Sequence, residues 1–150
     1  MTKTPTAFTV LMVLVLIALG GIWFFYTLEN QQPAQVFSAT INRDCAPWDG
    51  PAFTVSIPYE PGSYINISIW QEPEIKLPAR FSFPDETMRV GSVTFLLRYS
   101  HSVELTGTVF FWRVKQGSPV EGEFDLITEA GQQLSGTFKA EWDKVAVYCA

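Results

Sequence analysis

The chain has 150 residues, 47% hydrophobic and 15% aromatic, with 10 Lys+Arg against 15 Asp+Glu for a net charge of −5. Once an apolar head of about 28 residues is set aside, about 120 remain, which is one ordinary domain. The aromatic content excludes intrinsic disorder, the acidic balance excludes phosphate-driven nucleic-acid binding, and a single histidine, His101, excludes a His-rich metal site.

No charged side chain lies between Lys3 and Glu29, and Ala7 to Leu28 is an apolar run. A helix of about 22 residues, at about 1.5 Å per residue, covers the roughly 30 Å hydrocarbon core of a bilayer. Trp23, Phe24, Phe25 and Tyr26 sit at its distal end, where an interfacial aromatic belt lies. Glu29 to Gln32 are polar and Pro33 ends the helix. A cleaved signal peptide is the competing reading, and Ala18-Leu19-Gly20 offers the small residues it needs. The apolar run continues past a usual h-region, however, so an uncleaved anchor is expected. Lys3 before the run and Glu29 after it place the N-terminus in the cytoplasm and the rest in the periplasm or outside the cell. The expected organisation is a cytoplasmic N-terminus over 1–6, a transmembrane helix over 7–28, a linker over 29–35 and a β domain over 36–150.

Ala7-Phe8-Thr9-Val10-Leu11-Met12-Val13, preceded by a short leader with Lys3, resembles the start of a type IV pilin. The resemblance covers about 20 residues and implies cleavage before Phe8 and a filament subunit with a β-rich head. Met12 stands where that family usually has a glutamate, and Pro33 interrupts the helix early.

Beyond Pro33 no segment keeps a 3.6-residue apolar period; alternation dominates, which predicts an all-β domain. Cys45 and Cys149, without CxxC spacing, suit one disulfide in an oxidising compartment. Seven prolines between Pro47 and Pro84 suggest short, irregular or edge strands at Val36–Asn42, Ala52–Ile57, Tyr64–Trp70 and Ala79–Phe83. The next stretch carries glycines instead and predicts an antiparallel meander of four strands, about 89–99, 103–115, 118–128 and 132–142. Joining their apolar faces sets Leu126 opposite Leu134, Phe124 opposite Gly136 and Gly122 opposite Phe138, with Glu129-Ala130-Gly131 as a three-residue turn. Glu121 then faces Lys139 on the outside. A turn at Gln116-Gly117 pairs Gly107 with Leu126 and Phe111 with Gly122. A turn at Ser100-His101-Ser102 pairs Phe95 with Gly107 and Gly91 with Phe111. A large ring over each glycine fills the layer, and a one-residue slip would undo every pair. The proline half covers this meander as the second layer of an antiparallel β-sandwich, with a flattened barrel as the alternative.

Few residues suggest chemistry. Glu121, Glu123 and Asp125 share one strand face and read as a solvated surface. Asp44-Cys45-Ala46-Pro47-Trp48-Asp49-Gly50 lacks the ligand spacing of an EF-hand and reads as a disulfide-pinned turn with Trp48 packed over it. His101 lacks an orienting acid and reads as a turn residue. Asn66-Ile67-Ser68 is an N-glycosylation sequon, meaningful only in a eukaryotic secretory setting. No catalytic residue, metal ligand or cofactor is expected. Phe110 and Trp112, with Leu96 and Ile127, fall on the face opposite the core and form a candidate docking surface; Trp23, Phe24, Phe25 and Tyr26 are candidates for contact with partner helices. The expected function is that of a non-enzymatic, single-pass accessory or docking subunit of a larger membrane complex of respiratory, photosynthetic or transport type. Its partners would be the lipid bilayer and integral membrane proteins, with no nucleic acid. The alternatives are a pilin-like filament subunit and an anchored module that binds a small ligand or glycan through Trp48, Trp70 or Trp112.

Overall fold

The computed structural model describes residues 35–71, 73, 79–87, 89–97, 101–144 and 147–149. The expected cytoplasmic segment, the transmembrane helix with Trp23 to Tyr26, and nearly all of the linker lie outside the described residues. The chain divides into two units, Met1–Pro33 and Ala34–Ala150.

Eight strands follow in chain order: β1 (Val36–Cys45), β2 (Pro51–Glu60), β3 (Ser63–Ile69), β4 (Ala79–Phe83), β5 (Gly91–Leu97), β6 (His101–Arg113), β7 (Val120–Thr128) and β8 (Gln133–Trp142). No described residue is helical. Burial alternates along nearly every strand, as in β7 where Val120, Gly122, Phe124 and Leu126 are buried and the residues between them exposed. This period of two is the signature of a wall with one wet face.

The wall closes on itself. Hydrogen-bonded neighbours run β6, β5, β3, β2, β1, β8, β7 and back to β6, a barrel of seven strands. A sandwich was the preferred expectation; the barrel replaces it because β1 pairs with β8, Phe37 aligning with Phe138 and Ile41 with Trp142. That contact is parallel while all the others are antiparallel. Parity requires it: strands that alternate in direction around a ring of odd number must meet one neighbour running the same way. Closure also removes two exposed sheet edges.

The β6–β7–β8 registers agree with the sequence pattern residue by residue. Gly107 lies opposite Leu126, Phe111 opposite Gly122, Phe124 opposite Gly136 and Leu126 opposite Leu134. The Glu121–Lys139 ion pair spans 3.9 Å on the outer surface, a geometry and exposure worth less than about 1 kcal/mol. Gly131 takes φ 83° in the three-residue turn, whose ends are tied by Gly131 N–H to Thr128 O at 2.8 Å. Gln116-Gly117 does form the centre of a turn, with Ser118 N–H donating to Lys115 O at 3.1 Å and Gly117 at φ 74°. A bulge between Phe111 and Arg113 precedes it, so the strands stop short, at Arg113 and Val120.

Two expectations need correction. β5 meets β6 only through Thr94–Glu104 to Leu97–His101, four residues out of the expected register. The even shift keeps the inward face inward, but Gly91 no longer faces Phe111. β4 takes that place, Phe83 opposite Gly107 and Ala79 opposite Phe111, and fills the gap where β5 leaves β6. β5 instead runs along β3 from Gly91 to Leu96, and Gly91 is needed there because a Cβ would collide with the Ser68 carbonyl oxygen. The proline expectation holds for β4, a short edge strand followed by Pro84 that pairs only with β6, but the proline-bearing β2 is not an edge. β2 lies between β1 and β3; Pro51 opens it and Pro58 sits at its bulge, where a missing N–H costs little.

The interior is filled. Every described phenylalanine except Phe110 is buried. Phe111 meets the rings of Phe53, Phe81 and Phe138 edge-to-face, with centroids 5.8, 5.8 and 5.6 Å away. Each such pair adds about 0.5–1.5 kcal/mol to the burial itself. Two glycines make room for this packing: a Cβ on Gly122 would lie 2.6 Å from Phe138 Cζ, and one on Gly136 would lie 2.5 Å from Phe37 Cε2.

Candidate functional site

Strand directions sort the loops onto two rims. The chain enters β1 at Val36 on one rim, which also carries the β2–β3 and β7–β8 turns. The other rim gathers the ends of β1, β3, β6 and β8, and with them all four described tryptophans: Trp48, Trp70, Trp112 and Trp142. Because β8 runs parallel to β1, both strands end on this rim. The Cys45–Cys149 disulfide joins them there, with Cα atoms 5.6 Å apart. The expected pairing is present, and the parallel closure explains how residues 104 positions apart come together.

The Cys45–Gly50 turn is the disulfide-pinned loop the sequence suggested. Ala46 N–H donates to Gly50 O at 2.8 Å, Asp49 N–H donates to Ala46 O at 2.9 Å, and Asp49 adopts φ 60°. Asp is among the residues that tolerate that conformation. Trp48 lies over Gly50, so that a Cβ there would come within 2.6 Å of the indole nitrogen. Its ring meets Trp70 edge-on at 5.4 Å and remains 51% exposed.

Beside it, the end of β1, the β6–β7 turn and the end of β8 enclose an open cleft of about 440 Å³, lined chiefly by Arg43, Gln116, Ser118, Glu141, Trp142 and Lys144. Three hydrogen bonds knit the three elements together. Arg43 Nη2 donates to Gln116 Oε1. Trp142 Nε1 donates to Lys115 O at 3.0 Å, and Asp143 N–H donates to Ile41 O at 2.8 Å. None of these residues was expected from sequence to form a site; Gln116 was read only as part of a turn. The available signal was local, a tryptophan ending a strand with charged residues after it, and the cleft exists only once β1 and β8 are neighbours.

The four outward residues expected to form a docking surface do lie outside the wall, on β5, β6 and β7, but strung along it. Leu96 aligns with Ser102 and Ile127 with Thr106, whereas Phe110 and Trp112 lie further on. At about 3.3 Å per residue, the Leu96 end is about 26 Å from Phe110. The compact part of the surface is Phe110 against Trp112 at 6.3 Å, with the Arg80 guanidinium 5.7 Å above the Phe110 ring. Trp112 and Ile127 are each 44% exposed.

His101 is the first residue of β6, opposite Leu97, and not the tip of a turn. Glu121, Glu123 and Asp125 are exposed; Asp125 accepts from Gln133 Nε2 at 2.9 Å. Among the described residues no three His, Cys, Asp or Glu side chains gather as a metal site would require. Asn66 of the sequon lies within β3 and accepts from the Ser56 hydroxyl at 2.8 Å. Asp85 has its carboxyl held below the usual carboxylate range, first by the Thr87 hydroxyl and further by backbone N–H groups including that of Arg89. Comparison with family models, with curated proteins and with solved structures finds no match for this chain.

Proposed function

We propose that this protein is a non-enzymatic docking subunit of a larger membrane complex, held in the lipid by residues 7–28 and presenting its barrel on the exported side. The observation that carries the reading is the Phe110–Trp112 pair. Eight other described phenylalanines are buried, while this one faces outward beside a 44% exposed tryptophan and under a cation. Phe110 is half-buried and Trp112 exposed, and surface aromatics beside an arginine are the residues that dominate protein–protein contacts. A filled barrel interior leaves binding to the outer surface and the rim. The uncharged apolar run before Glu29 and the disulfide fit an anchored, exported domain.

Purification of the full-length chain from its native membrane in mild detergent tests this. Stoichiometric integral membrane proteins should accompany the wild type and be lost from the Phe110→Ser, Trp112→Ser double variant while that variant stays folded. A monomer free of partners, or partners indifferent to both substitutions, refutes it. Intact mass separates the filament alternative: a chain starting at Phe8 supports a pilin-like subunit, and one starting at Met1 excludes it.

A further inference from the structure

We infer that the cleft at the tryptophan-bearing rim is a binding site for a neutral sugar, independent of the docking surface on the outer wall. Its volume, about 440 Å³, lies within the roughly 300–1,000 Å³ of small-molecule pockets. Its charges cancel: Arg43 and Lys144 are balanced by Glu141 and Asp143. A ligand with net charge therefore gains little from the summed charge of the lining. A ligand that both donates and accepts at many points does gain, because the lining holds both the donors of Arg43, Gln116, Ser118 and Lys144 and the carboxylates of Glu141 and Asp143. Hydroxyl groups combine both roles, and the C–H face of a pyranose matches the flat apolar indole of Trp142.

The cleft is also set before any ligand arrives. The Trp142 ring is anchored through Nε1 to Lys115 O. Gln116 has its Oε1 occupied by Arg43, which aligns its NH2 group and leaves it to donate elsewhere. These bonds join elements that the barrel already holds, so little ordering remains for binding to supply.

The test uses the folded full-length chain in a zwitterionic detergent without a sugar headgroup. Maltose, cellobiose and N,N′-diacetylchitobiose are the probes, and inorganic phosphate and acetate the charged comparators. Saturation-transfer NMR and tryptophan fluorescence are read together. Because Trp142 packs against the core, the variants are the exposed neighbours Gln116→Ala and Glu141→Ala, with Ser135→Ala on the outer wall as control. At least one disaccharide should bind, should weaken about tenfold or more in each cleft variant as a hydrogen-bond partner is lost, and should be unaffected by Ser135→Ala. Three outcomes overturn the inference: no saturation transfer to any of the three sugars, binding indifferent to both cleft variants, or phosphate or acetate binding more tightly than every sugar.

Discussion

The parallel closure of β1 on β8 is testable through one glycine. In Gly136→Ala the new Cβ would lie 2.5 Å from Phe37 Cε2 and 3.0 Å from Cδ2. Phe37 cannot easily move: it is 6% exposed, stacks on Tyr59 at 5.5 Å and meets Phe124 at 5.7 Å. Overpacking of this kind costs about 1–3 kcal/mol, offset by about 0.4–1 kcal/mol because alanine restricts the unfolded chain. The net expectation is a loss of about 1–2 kcal/mol. Phe37→Ala alone costs about 3 kcal/mol or more. Once that ring is gone the two closest contacts are gone and only the Gln35 carbonyl oxygen, at 3.1 Å, remains near the new Cβ, so Gly136→Ala becomes close to neutral, within about 0.5 kcal/mol. The two substitutions should therefore couple by about 1–2 kcal/mol, inside the range seen for contacting residues. Urea unfolding of the four full-length proteins in detergent, followed by tryptophan fluorescence, measures the cycle. In a sandwich that kept β1 away from β8 the two residues would not meet. Additivity within about 0.5 kcal/mol would refute the closure.

Two further outcomes follow from particular contacts. Cys45→Ser with Cys149→Ser opens a loop of 104 residues; the chain-entropy model sets the loss at up to about 4.7 kcal/mol, seen as a lower urea midpoint, while a wild type that alkylates at both thiols without reductant would show that the bridge is absent. Asp85 titrates below the usual carboxylate range because the Thr87 hydroxyl and backbone N–H groups favour its charged form. The order this lends the turn through Arg89 is therefore complete above the ordinary carboxylate pKa and is lost as pH falls through the lowered value. Thr87→Val should move the titration, followed by NMR of the Arg89 amide, upward toward the ordinary value, and a wild-type Asp85 titrating at or above that value would contradict the contact.

Residue order alone was informative about neighbours in the chain. Alternation placed Phe124 and Leu126 on one face of β7 and Glu123 and Asp125 on the other. Gly131 and Gly117 located two turns, and the turns set the β6–β7–β8 registers down to the Glu121–Lys139 pair. Hairpins are legible because the residues that specify them are adjacent in the chain and a slip of one would invert every side chain. The same method failed between β5 and β6. There the partner of Gly107 and Phe111 is β4, and a pairing of Gly91 with Phe111 satisfied the same inward–outward pattern. The packed fold was needed to show that β3 takes the edge of β5, that β8 meets β1 to close seven strands, and that Arg43, Gln116 and Trp142 surround one cleft. Those contacts join residues far apart in the chain. Period-two alternation says which face a residue takes and nothing about which strand lies beside it, so the choice among neighbours rested on how the rings of Phe37, Phe111 and Phe138 fill a single interior.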